Sequence, residues 1–300
     1  MKYKTTPGSI AFSIFNYTFL IIITFLCIYP FYYMLINTIS SNELSSRGVI
    51  MFLPREMHLT NYTQVMLLPG LSRAAFVSVA RTVIGTIIPV VVSGFVGFMF
   101  TRPMWGRKFW YRFVIASMYF SAGLIPYFLT ISRLGLINSF WVYILPFVMQ
   151  PFSILLVKTY VESTPTSLQE SAEMDGAGTF TIFMRIILPL IKPILATIAI
   201  FAAVGQWNMF MDTLLFITDQ SLHTLQFTLY RYIAQAGLLA RLVQAAMLGG
   251  GTDIAQAAHQ QTDTSVRMTV TVIVTLPILF VYPFFQKYFV KGIMIGAVKG

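Results

Sequence analysis

Six long apolar stretches, at about 17–39, 75–100, 112–132, 139–160, 190–217 and 268–290, run along the chain, with polar residues gathered between them. Each is close to the roughly 20 residues a helix needs to cross a hydrocarbon core about 30 Å thick. Lipid offers no partner to a backbone amide, so the pattern predicts an all-α membrane protein with six transmembrane helices. Most stretches hold an internal proline: Pro30, Pro89, Pro126, Pro146 and Pro151, Pro277 and Pro283. Each frees a carbonyl that a neighbouring helix or water has to satisfy, which points to a packed, kinked bundle, although proline is also simply common in membrane helices. In the second stretch Ser93, Gly97 and Thr101 recur every four residues, a small-residue stripe that lets another helix approach closely.

Two connecting segments exceed a simple turn. Residues 40–74 read as a loop with a short amphipathic helix, and 218–267 as an extracytoplasmic loop around Gly249-Gly250-Gly251 and the polar run His259 to Ser265. Neither is large enough for a separate enzymatic domain, so residues 1–300 are expected to form a single transmembrane domain.

Composition agrees with the pattern. Of 300 residues 57% are hydrophobic and 10% charged, with a mean hydropathy of +0.75, against roughly 25% charged residues in soluble domains. The net charge of +10 raises a nucleic-acid partner, but the basic residues flank apolar stretches and form no polar basic face, so none is expected. Cys27 is the single cysteine, which excludes an intrachain disulfide or a multi-cysteine metal site. The first apolar run is longer than a signal-peptide core and lacks a small-residue cleavage site, so it reads as a retained helix.

Lysine and arginine set the orientation. With a cytoplasmic N-terminus, the inner segments hold Lys2, Lys4, Arg102, Arg107, Lys108, Arg112, Lys158, Arg185, Lys192, Lys287, Lys291 and Lys299, 12 of 20 basic residues. The densest cluster, Arg102 to Arg112, lies in a short loop, where charge bias counts most. Both termini, the loop 164–189 and the tail 291–300 are therefore expected in the cytoplasm.

That loop carries the most specific signal. Ser167-Leu168-Gln169-Glu170 fits a capping box, Thr164-Pro165 offers an earlier start, Gly176 and Gly178 break the helix, and Thr179 can begin a second one running towards Pro189. A turn this sharp at Gly176 calls for positive φ or close backbone approach. The resulting short helix, turn and short helix can seat in a cleft of a soluble protein, offering Glu170, Glu173 and Asp175 to basic or amide donors and Leu168, Ala172 and Phe180 as apolar contact.

The spacing of this loop is Glu170-Ser171-Ala172, three residues, Gly176, nine residues, then Ile186-x-Leu188-Pro189. It resembles the EAA loop of importer-type ABC transporter permeases, with Ser171 where that family has alanine. With the six stretches and the C-terminal KYFVKGIMIGAVKG, the whole chain looks like the MalG-like branch of carbohydrate permeases. The resemblance implies a type I ABC importer permease fold in a bacterial cell membrane. It implies ATPase coupling through Glu170, Ser171, Ala172, Asp175, Gly176, Ile186, Leu188 and Pro189, with tail contacts to the ATPase from Lys291, Gly296, Lys299 and Gly300. It further implies a second homologous permease subunit, two cytoplasmic ATPases holding ATP and Mg, and an extracytoplasmic solute-binding protein that delivers an oligosaccharide.

The rest of the chemistry fits a transport subunit rather than an enzyme. No phosphate loop occurs, since Gly249-Gly250-Gly251 runs into Thr252-Asp253, so ATP hydrolysis belongs to another polypeptide. His58, His223 and His259 lack ligand spacing, and neither a metal nor a bound cofactor is expected. Gln206-Trp207-Asn208 falls inside the fifth stretch, where buried amides have to pair or face a wet cavity. They either line a sugar path, with Trp207 stacking on a sugar ring, Gln206 and Asn208 bonding hydroxyls and Tyr119, Tyr127 and Asp212 as further candidates, or bond neighbouring helices. The alternative class, an ion-coupled secondary transporter, calls for ionisable groups near the bilayer midplane. The apolar stretches are nearly free of acids, Asp212 lying towards the outer end of the fifth.

Overall fold

A computed structural model describes residues 7–235 and 267–280. Among these the backbone is helical or in turns, with no strand. Two helices are long and apolar enough to cross a membrane by themselves, α1 (Pro7–Thr38) and α4 (Leu71–Met99). Both are long because their apolar runs are unbroken, and each tolerates one interior proline, Pro30 and Pro89.

The third to fifth apolar stretches are broken helices, and in each a proline sits in the first turn of one of the pieces. The third divides into α5 (Arg107–Ser117) and α6 (Leu124–Arg133), which places Pro126 in a first helical turn, where its missing N–H costs nothing. In the fourth, 3₁₀ turns at Phe140–Tyr143 and Leu145–Phe147 meet α7 (Pro151–Glu162) at 45°, with Pro151 starting the helix. At the start of the fifth, the preceding run Thr179–Leu190 meets α11 (Lys192–Asn208) at 79°, with Pro193 in the first turn, and the stretch itself breaks after Asn208. Counting each bent pair as one span gives up to four spans among the described residues, which also include a shorter apolar helix, Arg267–Phe280.

The described residues fall into two compact units, 7–68 with 231–235 and 267–275, and 69–230 with 276–280. In the first, the end of α1 is closed by the following segment, which holds α2 (Asn42–Ser46) and α3 (Thr60–Met66). Buried Asn37 donates to the Ile50 carbonyl at 3.3 Å and accepts from Ser45 Oγ at 2.7 Å, while Asn61 Nδ2 donates to the Thr38 carbonyl at 2.9 Å.

The second unit is built along α4. Near its C-terminal end Phe98 packs with Val157, Val161, Ala172, Ile182, Phe183, Ile187, Ile191 and Ile198. Near the other end Val77 packs with Ile131, Tyr143, Ile144, Phe216 and Ile217. The small-residue stripe permits this. A side chain at Gly97 would place Cβ 2.7 Å from Val157, and Ser93 is fully buried, so the stripe seats α7 directly against α4.

Candidate functional site

The helix–turn–helix expected around residues 164–189 is present. Helix α8 (Ser167–Met174) is followed by a turn, then α9 (Thr179–Ile182), a π-helical segment Phe183–Ile187, and α10 (Leu188–Leu190). Gly176 has φ +80°, its N–H donates to the Glu173 carbonyl at 3.0 Å, and the Ala177 N–H donates to the Ala172 carbonyl at 2.9 Å. These bonds make a Schellman turn, with Ala177 and Ala172 meeting in the same apolar cluster. Nothing lies within 4 Å of a Cβ built on Gly176, so positive φ alone, and not close approach, calls for glycine there.

The start of α8 departs from the capping-box reading. Thr166 occupies the cap position with helical φ and ψ, and no side chain caps the helix; Ser167 is already inside it and exposed. The departure at Ser171 is accommodated by a back-bond, its Oγ donating to the Ser167 carbonyl at 2.6 Å on the exposed face.

Buried Gln169 and Ala172 fasten α8 underneath, so Ala172 belongs to the chain's own core and offers no outward contact. Glu173 is also spoken for: Arg102, just past the end of α4, pairs with it and places Nη1 3.4 Å from Gln169 Oε1. Glu170, Ser171 and Asp175 are exposed, as are Leu168, Met174 and Phe180. Ile186 and Leu188 pack partly buried against the cluster, and Pro189 is exposed in the first turn of α10. A stiff acidic and apolar knob thus sits at the head of a helical run that turns into α11 at Ile191.

A second constellation lies where the fifth stretch breaks between α11 and α12 (Met211–Phe216), at Met209, whose backbone is extended. Fully buried Arg81 on α4 uses all three guanidinium nitrogens there. Nε donates to Gln206 Oε1 at 2.8 Å, Nη1 to the Met209 carbonyl at 2.9 Å, and Nη2 to Asp212 Oδ2 at 2.7 Å. Its guanidinium lies 4.4 Å from the centroid of the Tyr143 ring. Gln206 Nε2 donates to the Tyr143 carbonyl at 3.2 Å, and Tyr143 Oη donates to the Leu222 carbonyl at 2.8 Å. Gly85 makes room, since a Cβ there would fall 2.8 Å from Gln206 Cδ. Arg81 therefore satisfies a carbonyl freed by the break and neutralises the acid beyond it.

The six residues weighed for a substrate path do not form one cluster. Gln206 and Asp212 are buried in the Arg81 network, while Asn208 is exposed and donates to the Val204 carbonyl at 3.0 Å. Trp207 is half-buried, and Tyr119 is 84% exposed in the segment between α5 and α6. Tyr127 sets its ring edge-on to Phe216 at 5.5 Å, and its buried hydroxyl has no hydrogen-bond partner among the described residues. Lys291, Gly296, Lys299 and Gly300 lie outside the described residues.

Sequence reasoning missed Arg81 and the tie from Arg102. The signal for the first was available, because an arginine inside the second apolar stretch and an aspartate inside the fifth are costly singly and compatible as a pair. Beyond the break, Asn138 Oδ1 accepts from the Thr218 N–H at 2.6 Å and the Asp219 N–H at 3.1 Å. Asp219 in turn accepts from the Ser221 N–H at 2.8 Å, which holds its carboxyl below the usual range. That exposed turn is therefore supported at neutral pH, and the support is lost as pH falls through the lowered pKa.

Residues 90–295 match the family of binding-protein-dependent transport system inner membrane components. The chain is 36% identical to Protein LplC of Bacillus subtilis, over 99% of this chain and 98% of that protein. It is 32% identical to the polygalacturonan/rhamnogalacturonan transport system permease protein YtcP of the same organism, over 96% and 98%. Among solved structures it resembles a chain in the crystal structure of a bacterial ABC transporter involved in the import of the acidic polysaccharide alginate. That likeness has a TM-score of 0.82 and 27% identity, covering 95% of this chain and 99% of that one.

Proposed function

Because the chain belongs to the binding-protein-dependent transport system inner membrane component family, we propose that it is the permease subunit of an ATP-driven importer of a carbohydrate, an oligosaccharide released from a larger polysaccharide. Relatives named for polygalacturonan/rhamnogalacturonan and for alginate support this substrate class. In this reading six helices cross the bacterial membrane, both termini are cytoplasmic, and a second homologous permease completes the path. Two cytoplasmic ATPases hold ATP and Mg, and an extracytoplasmic binding protein delivers the sugar.

The observation that carries the reading is the construction of α8. It is fastened beneath by Gln169, Ala172 and the Arg102–Glu173 pair, and it leaves Glu170, Asp175, Met174 and Phe180 outward for a partner. Closure of the ATPase dimer on ATP would carry α8 inward. The run Thr179–Leu190 would pass that movement to α11 as a rigid-body rotation between inward- and outward-facing states. The ion-coupled alternative has less support, since Asp212, the acid in the fifth stretch, is already neutralised by Arg81. The tail residues Lys291, Gly296, Lys299 and Gly300 are assigned a second contact with the ATPase.

Reconstitution with the second permease, the ATPase and the binding protein tests the reading. ATP hydrolysis should rise when binding protein and oligosaccharide are added together. Hydrolysis indifferent to both, or uptake driven by an ion gradient without ATP, would overturn it.

A further inference from the structure

Helix α5 and the turn before it are unused by the coupling surface and by the Arg81 network, and they have an unusual surface. None of the residues Arg107–Ser117 is buried. Trp105 is 90% exposed, Phe109 64%, Phe113 60% and Trp110 44%. At about 100° per residue, Phe109, Trp110 and Phe113 share one side of α5, while Arg107, Lys108 and Arg112 occupy the other. The turn borders a shallow, open depression lined by Met104, Trp105, Arg107 and Lys108.

The three cations have no acidic partner among the described residues. The sequence holds no acid between Glu56 and Glu162, Glu162 is paired with Lys158 at 2.7 Å, and Glu173 is paired with Arg102. That last pair also fixes the position of the turn. Arg102 ties the end of α4 to α8, so residues 103–112 emerge on the side of the membrane that carries α8. Arg107 is half-buried and places Nη1 3.4 Å from the Thr101 carbonyl, while Lys108 and Arg112 are exposed. Exposed indoles beside cations without an acidic partner at a membrane boundary match a phospholipid surface, where aromatic rings sit at headgroup level and the cations meet phosphate.

We propose that Trp105, Arg107, Lys108 and Arg112 form a binding surface for the headgroups of anionic phospholipids in that leaflet. The proposal rests on the functional reading only in calling the leaflet cytoplasmic. Charge complementarity selects anionic over zwitterionic lipid, because three positive charges without an acidic partner among the described residues attract net negative headgroups and gain little from neutral ones.

The test uses the full chain in lipid nanodiscs with Trp110, Trp141 and Trp207 replaced by phenylalanine, so that Trp105 is the fluorophore. Brominated phosphatidylglycerol and brominated phosphatidylcholine are compared as trace quenchers in a zwitterionic background. Phosphatidylglycerol should quench Trp105 more strongly, by about tenfold in apparent affinity, and the preference should shrink at high salt. It should be lost in the variant Arg107→Gln/Lys108→Gln/Arg112→Gln and kept in Arg133→Gln, whose charge lies at the end of α6. Lys108→Gln and Arg112→Gln alone should each lower it part-way, which reads the effect if the triple variant fails to insert. Equal quenching by the two lipids, or a preference that survives the triple substitution, would overturn the proposal. So would a Trp105 that neither lipid quenches and that added ATPase protects, since the surface would then belong to a protein. The readout needs neither ATP nor sugar, so its failure is separable from failure of the transport reading.

Discussion

Arg81 Nη2 lies 2.7 Å from Asp212 Oδ2, with 1% and 6% of the two side chains exposed, joining α4 to the start of α12 across a break in the fifth apolar stretch. The pair is held on all sides, by Gln206, by the Met209 carbonyl and by the Tyr143 ring. Its weight lies less in the net attraction of two ions than in the cost of leaving either without the other.

Arg81→Met should therefore lower stability by about 3–5 kcal/mol, because Asp212 stays buried with no counter-charge. The double variant Arg81→Met/Asp212→Leu should recover much of that loss, since it removes the stranded charge. Thermal unfolding of the detergent-purified chain reads both. An Arg81→Met variant that melts with the wild type would show that the network does not hold the break.

Gly97 makes a second contact that leaves no room. A valine there would press into Val157, with Cβ only 2.7 Å away and the Ile154 carbonyl at 3.1 Å. Overpacking of this kind costs about 1–3 kcal/mol. Gly97→Val should lower the melting temperature, and Val157→Gly, which removes both the Cβ and Cγ1 it would meet, should make the double variant less unstable than the sum of the two single changes. Independent, additive effects would show that α4 and α7 are not in the contact described.

The Arg102–Glu173 pair is only partly buried, with 18% and 43% of the side chains exposed. Its contribution to stability should be modest, about 0.2–1 kcal/mol in a double-mutant cycle. Its larger effect should be on coupling, because it fastens α8 to the end of α4. Arg102→Gln should leave the melting temperature nearly unchanged while weakening the stimulation of ATP hydrolysis by binding protein and sugar, and the charge swap Arg102→Glu/Glu173→Arg should restore part of it. Full stimulation in Arg102→Gln would remove the pair from the coupling path.

What could be read from sequence depended on how local the determining interaction was. Helices α1 and α4 follow from unbroken apolar runs, and the turn at Gly176 and the start of α9 at Thr179 follow from residues adjacent to them. The breaks at Gly123, Gln150 and Ile191 were less legible, because Pro126, Pro151 and Pro193 can either kink a continuous helix or begin a new one. Tertiary packing chooses between those outcomes. The roles of Gln206 and Asp212 could not be read locally at all. Their partner Arg81 is more than a hundred residues away, and an amide in an apolar stretch looks the same whether it meets a sugar or a guanidinium. Ala172 misled for the opposite reason, since a short helix outside the bilayer suggests outward contact, yet this residue turns inward to Phe98 and Val161 in the core.

Gly176 separates shape from chemistry on the coupling surface. Its φ of +80° strains any residue with a side chain, yet no atom lies within 4 Å of the added Cβ, so the penalty is backbone strain alone. Gly176→Leu should cost about 1–2 kcal/mol and, by opening the Schellman turn, re-aim α8 relative to α9. Gly176→Asn should cost less, since asparagine tolerates the left-handed region. Glu170 is the converse case: exposed, its side chain makes no hydrogen bond among the described residues, and Glu170→Ala should leave the melting temperature unchanged. In the reconstituted transporter Gly176→Leu and Glu170→Ala should both abolish sugar uptake with nucleotide binding by the ATPase retained, the first through shape and the second through a lost contact. Gly176→Asn should keep measurable uptake. Normal uptake in Gly176→Leu and Glu170→Ala would mean that force enters the permease somewhere other than α8.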